Sequence, residues 1–154
     1  MSLTKQQGTL LIELLVVVVI VAMLASFAMP GMQTSVINND LSNGQKILTQ
    51  TLRKARLIAR AEGRFMLVRL HQGSNQIFLQ RLNGDVVETV QLPPRTFSQE
   101  QVEFTFSPNG TIGRIEDEIV VNLAEQRIEL VSTSSTSNQK TTTQINRFGN
   151  IASL

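Results

Sequence analysis

Cysteine, tryptophan and tyrosine are absent from this 154-residue chain, and histidine occurs once. Without cysteine there are no disulfides and no thiolate metal sites. Seven phenylalanines are the whole aromatic supply, a poor basis for the stacking platforms that bind single-stranded nucleic acid. His71 has no Cys, second His or carboxylate at ligand or catalytic spacing, so it reads as structural or solvated. Gly-rich phosphate motifs are missing too. Glu116, Asp117 and Glu118 form an acidic cluster after Arg114, but without EF-hand spacing it reads as a solvated turn rather than a cation site. The chain is therefore expected to be no enzyme, with no cofactor and no metal. Net charge is also small, +2, and losing Lys5 with the first eight residues would leave about +1. The pI of about 9.5 thus does not mark a polyanion binder. The length allows one membrane segment and one modest domain.

What is present is a long apolar run, residues 9–29, interrupted by one carboxylate, Glu13. The run is long enough to cross a bilayer as a single helix. An acid there costs roughly 2.5–3.5 kcal/mol on insertion scales, so it needs a partner. A cut after Gly8 would create an α-amine on Thr9, one helical turn from Glu13 and on the same face. That amine, on the same or a neighbouring chain, would neutralise the carboxylate. A secretory signal peptide explains the run less well: the run exceeds a 7–15 residue core, its end is a weak cleavage site, and removal would discard Glu13. A buried soluble helix fits less well also, because the run is apolar on every face. Lys5 precedes the span and the next basic residue after it is Lys46, so the N-terminus is expected to stay cytoplasmic and the rest to be exported.

The hexapeptide Gly8-Thr9-Leu10-Leu11-Ile12-Glu13, followed by the apolar run, resembles the processing site of type IV pilins and pseudopilins. In that family a membrane peptidase cuts after the glycine and methylates the new N-terminus, here Thr9, where phenylalanine is usual. The glutamate is the fifth residue of the mature chain, and Pro30 stands where the family places a helix-loosening proline. The resemblance implies a leader over 1–8, a transmembrane and filament-core helix over 9–29, and an exported domain over 30–154.

From residue 31 the pattern becomes amphipathic. Ile37, Leu41, Gly44, Leu48, Leu52, Ala55 and Ala59 recur at steps of three and four, one face of a helix, with Ile47, Arg56 and Leu57 widening or edging the stripe. Gly63 ends it. Together with the run, this predicts a nearly continuous helix over 9–62, loosened at Pro30, which lacks a backbone donor. Residues 64–154 read as strands: 65–71, 76–82 and 86–92, joined by turns at 72–75 and 83–85. Pro93-Pro94 ends the third. Further strands are expected at 102–106, 118–123 and 126–131, with a turn at 107–110. The Ser/Thr-rich stretch 132–143 reads as a mobile loop or frayed strand pair, and 144–151 as a last strand. A helix followed only by strands predicts an α+β fold, the helix packed on antiparallel sheet.

Residues 102–110, the strand pair and the terminal Arg147-Phe148-Gly149-Asn150-Ile151 resemble the GspH/FimT type of pseudopilin domain, a group spanning minor pilins, a type II secretion pseudopilin and competence pseudopilins. The resemblance implies a structural subunit of a pilus or secretion pseudopilus. Its partners would be other pilins, a prepilin peptidase and an inner-membrane assembly platform. The alternative is a competence pseudopilin that touches DNA directly. Arg53, Arg56, Arg60 and Arg64, spaced three, four and four, can share one helix face with Lys46 and Lys54 nearby. That face could be solvated, meet acidic neighbours or lipid headgroups, or bind DNA. Low net charge weighs against DNA, as does the lack of the Gly-Arg-x-Arg motif of this group's DNA receptors: Gly63-Arg64 and Gly113-Arg114 continue differently. An unrelated single-pass exported protein is the remaining reading.

Overall fold

The computed structural model describes the backbone of residues 4–116, 119–133 and 138–153, and among these the side chains of 12–26, 35–115, 123–132 and 138–153. The chain forms two compact units, Met1–Val36 and Ile37–Leu154. Helix α1 runs Thr4–Glu62, including the expected 9–62. Its helical assignment continues through Pro30, which contributes no backbone donor.

In the second unit α1 supplies one wall of the core. Ile37, Leu41, Leu48, Leu52, Ala55 and Ala59 are all buried, the stripe that the three-and-four spacing predicts. Leu57 differs: it is 65% exposed, so it lies off the stripe rather than on its edge. Gly44 is buried because the backbone comes close to a strand there; an added Cβ would sit 2.8 Å from Thr96 Cγ2. The helix closes at Gly63, φ 63°, with the Arg64 N–H donating to the Ala59 carbonyl at 3.2 Å. This bond satisfies an end-of-helix carbonyl that would otherwise lack a partner.

Among the described residues ten strands follow, in two antiparallel sheets. The larger sheet contains β1 (Met66–Leu70), β2 (Gln76–Arg81), β3 (Val86–Gln91), β5 (Val102–Phe106), β6 (Ile112–Glu116) and β7 (Ile119–Asn122). Their spatial order is β3-β2-β1-β5-β6-β7. The smaller contains β4 (Thr96–Ser98), β8 (Glu125–Thr133), β9 (Asn138–Asn146) and β10 (Ile151–Ser153), ordered β10-β9-β8-β4. Both sheets feed one core. Met66, Val68, Phe104 and Phe106 come from the larger and Ile128, Leu130 and Ile145 from the smaller, against the helical leucines and alanines. Phe104 and Phe106 pack edge to face at 5.5 Å. Each large side chain so buried contributes about 1.5–3 kcal/mol, which is what holds the helix on the sheets. The fold is α+β, a helix on antiparallel sheet.

Three strand expectations need correction. β4 was not anticipated, because three residues after Pro93-Pro94 show no alternation; its register, Phe97 opposite Val131, comes from pairing with distant β8. β6 was also missed, since Gly113 and Arg114 break its apolar pattern, yet it bridges β5 and β7. Of the two readings of 132–143, the strand pair is the one that forms: 132–133 and 138–143 pair in register, with Ser132 opposite Gln139. Ser132 and Thr143 are fully buried on the inner face, small enough to fit there although their hydroxyls have no hydrogen-bond partner among the described residues. Residues 144–151 are not one strand. Asn146 Oδ1 accepts the N–H groups of Phe148 (3.1 Å) and Asn150 (3.0 Å), an Asx turn that ends β9, and Gly149 turns with φ 72°.

Candidate functional site

Two regions carry the residues singled out above. In the first unit, Ile12 to Leu24 forms an exposed surface that is apolar except at Glu13. Ile12, Leu15 and Leu24 are each about two-thirds exposed, and Glu13 lies exposed among them. The Ser26 hydroxyl donates to the Ala22 carbonyl at 2.9 Å, so it does not break the apolar character. Among the described residues, no helix is long and apolar enough to cross a membrane. The described side chains of the run, 12–26, fall short of the ~20 residues a span needs. The side chains of Gly8, Thr9 and Pro30 lie outside the described residues, as do those of Glu116, Asp117 and Glu118.

In the second unit the four arginines do not converge on one strip: Arg53, Arg56 and Arg60 lie on α1, and Arg64 lies beyond its end at Glu62. Arg56 is half-buried and reaches the turn between β9 and β10. Its Nη1 donates to the Gly149 carbonyl at 3.0 Å and its Nη2 to the Phe148 carbonyl at 2.5 Å. One turn on, Arg60 Nη2 donates to the Asn109 carbonyl at 3.3 Å, in the turn that follows β5. The two turns also meet each other: the Ile112 N–H bonds the Arg147 carbonyl at 3.2 Å. Glycine is required at the junction. A Cβ on Gly149 would collide with the Gly110 carbonyl oxygen, and one on Gly110 would lie 2.8 Å from Arg60 Nε and 2.9 Å from Arg56 Nε. Burial, with repulsion from Arg60, pulls the Arg56 guanidinium below its ordinary value, and its Nε is buried without a partner among the described residues. Arg56 and Arg60 thus act as clamps on this chain's own turns.

Arg53 and Arg64 stand apart from that pair. Arg53 lines a polar recess of about 300 Å³ with Lys46, Gln45 and Ser153. Arg64 lines another of about 340 Å³ beside Phe65 and Leu82. Lys54 is met by Glu88 at 2.7 Å. The clamp was missed in sequence because arginines at i, i+4 read equally as a solvated face. Its one signal was the pairing of that spacing with two glycine turns, Asn109-Gly110 and Gly149-Asn150. His71 packs edge-on against Phe78 at 5.6 Å. Among the described residues, no group of His, Asp and Glu could hold a metal ion.

No protein-family model and no curated protein matches the chain. Solved structures do. The type IV minor pilin FimU of Pseudomonas aeruginosa, in one crystal form, is 16% identical with a TM-score of 0.58, over 76% of this chain and 90% of that one. In a second crystal form the values are 15% and 0.52, over 73% and 90%. Helix on antiparallel sheets, in this arrangement, is the fold of a type IV minor pilin.

Proposed function

We propose that this chain is a minor pilin or pseudopilin, a structural subunit made as a membrane-anchored precursor, cut after Gly8 and assembled through its N-terminal helix. The observation that carries the reading is the coincidence of a minor-pilin fold with an exposed apolar helix bearing Glu13 five residues beyond Gly8. Before assembly, residues 9–29 anchor the chain in the inner membrane with Lys5 on the cytoplasmic side and the globular unit outside. A prepilin peptidase removes residues 1–8 and methylates Thr9, and an assembly platform then passes the subunit into the filament. There the apolar helices pack laterally on those of other pilins, and Glu13 pairs with a Thr9 amine. An unpaired charge in hydrocarbon would be expelled or left costly, and the pair removes that cost. Pro30 loosens the helix where it leaves the apolar environment.

The alternative, direct DNA contact during uptake, draws support only from Arg53 and Arg64 facing open recesses, since Arg56 and Arg60 are engaged internally. Assembly is tested by Glu13→Ala. The variant should still insert and still be cut, yet be missing from sheared filaments and from co-purified pilin complexes. Recovery in filaments at the wild-type level would contradict the proposal.

A further inference from the structure

A third recess, lined by none of Arg53, Arg56, Arg60 and Arg64, lies on the outer face of the smaller sheet. In β4, Thr96 and Ser98 are buried in the core, so the alternation of a strand turns Phe97 outward. Register places Val131 opposite Phe97 and Lys140 opposite Val131. Phe97 and Val131, both half-buried, make an apolar floor. The turn between β1 and β2 is pinned beside it: the Gly73 N–H donates to the Ser98 carbonyl at 3.0 Å, and the Ser98 N–H to the Ser74 carbonyl at 3.2 Å. That brings Gln72 to the rim. Gln99, Asn138 and Gln139 complete it, around a cavity of about 530 Å³. Gln72, Gln99 and Asn138 are exposed.

The lining decides the ligand class. Four carboxamides offer paired donors and acceptors without charge. The one cation among the described lining residues, Lys140, has Glu129 at 3.6 Å, so the recess offers an anion a single exposed and partly offset charge. An extended peptide would dock by adding a strand to β4, but the free edge of β4 is already taken by Gly73 and Ser74. What fits is a neutral, hydroxyl-rich ligand with a flat C–H face to lie on an aromatic ring. The size is within the usual range for small-ligand sites. We propose that this recess binds a neutral saccharide, its ring stacked on Phe97 and its hydroxyls held by Gln72, Gln99 and Gln139. A subunit so equipped would attach to glycan surfaces independently of whether it assembles into a filament.

The test is saturation-transfer difference NMR on the full chain in nanodiscs, with cellotriose, chitotriose and maltotriose as probes and a neutral Ala/Ser hexapeptide as rival. At least one trisaccharide should show transfer to its ring protons, and the hexapeptide none. Phe97→Ala should weaken binding about tenfold, and Gln99→Ala, a surface change that leaves the core alone, several-fold. Circular dichroism confirms that each variant keeps its fold. Leu57→Ala, on the helix away from the recess, should bind as the wild type does. No transfer to any trisaccharide, stronger binding of the hexapeptide, or saccharide binding unchanged in both folded recess variants would overturn the proposal.

Discussion

Arg56 joins parts of the chain that lie 93 positions apart in sequence, and it does so with a forked side chain. Two carbonyls, those of Phe148 and Gly149, accept from the two ends of one guanidinium, a geometry that an ammonium cannot copy. Hydrogen bonds from a charged donor are worth about 1.5–3 kcal/mol when made in protected surroundings; this site is half open to solvent, so about 1–2 kcal/mol is expected. Arg56→Ala should therefore lower stability by about that amount, and Arg56→Lys should recover less than half of the loss. Thermal unfolding of the full chain in detergent, followed by circular dichroism, reads the difference. Full rescue by lysine would show that charge alone, and not the fork, holds the turn.

The second half of α1 stays on the sheets by two features: an apolar stripe, and one place where the backbone comes close. Gly44 normally costs a helix about 1 kcal/mol relative to alanine, so Gly44→Ala ought to help an isolated helix. Here the new methyl would meet Thr96 Cγ2 at 2.8 Å. Thr96 is fully buried and β-branched, so it cannot swing aside. Overpacking costs about 1–3 kcal/mol, and a net loss of about 1 kcal/mol is expected. Thr96→Ser removes the opposing methyl and should restore most of the loss in the double variant, which a double-mutant cycle on melting temperature measures. Additive losses would place the strain elsewhere. The stripe itself was legible from spacing, because a run of seven apolar or small residues at helical steps has no competing period. β4 and β6 were not, since one is too short to alternate and the other carries Gly113 and Arg114. Pairing partners far along the chain set both.

Among the described residues, five ion pairs stud the surface of the globular unit. Hydrogen bonds from Arg81 hold the Glu62 carboxyl below the usual range, and bonds from Arg127, then Gln144, do the same for Glu125. A depressed carboxylate contributes stability that is complete above its unfolded value of about 4.3 and is lost as pH falls through the lower folded value. The melting temperature should fall between pH 7 and pH 3, and by less in the Glu62→Gln, Glu125→Gln double variant. Both groups are exposed, so added salt should shrink the difference between the two proteins. An equal fall in both would remove these pairs from the account.

Legibility of the candidate sites followed the same logic as the fold. Glu13 stood out because a carboxylate in an apolar run has few physical explanations. The arginines did not resolve by themselves, because a helix face of cations has many, and only the folded turns at Gly110 and Gly149 separate clamps from free side chains. The Phe97 recess left no local mark: its floor and rim come from β4, β8, β9 and the turn after β1, which only the register brings together.

The reading as an assembled subunit turns on one covalent fact, the residue at which the mature chain starts. Intact-mass and N-terminal fragmentation of the protein recovered from its native membrane should give a chain beginning at Thr9 with one added methyl, and Gly8→Ala should leave the precursor uncut. A mature chain that begins at any other residue, or a Gly8→Ala protein of unchanged mature mass, would contradict the pairing of Thr9 with Glu13 and the assembly built on it.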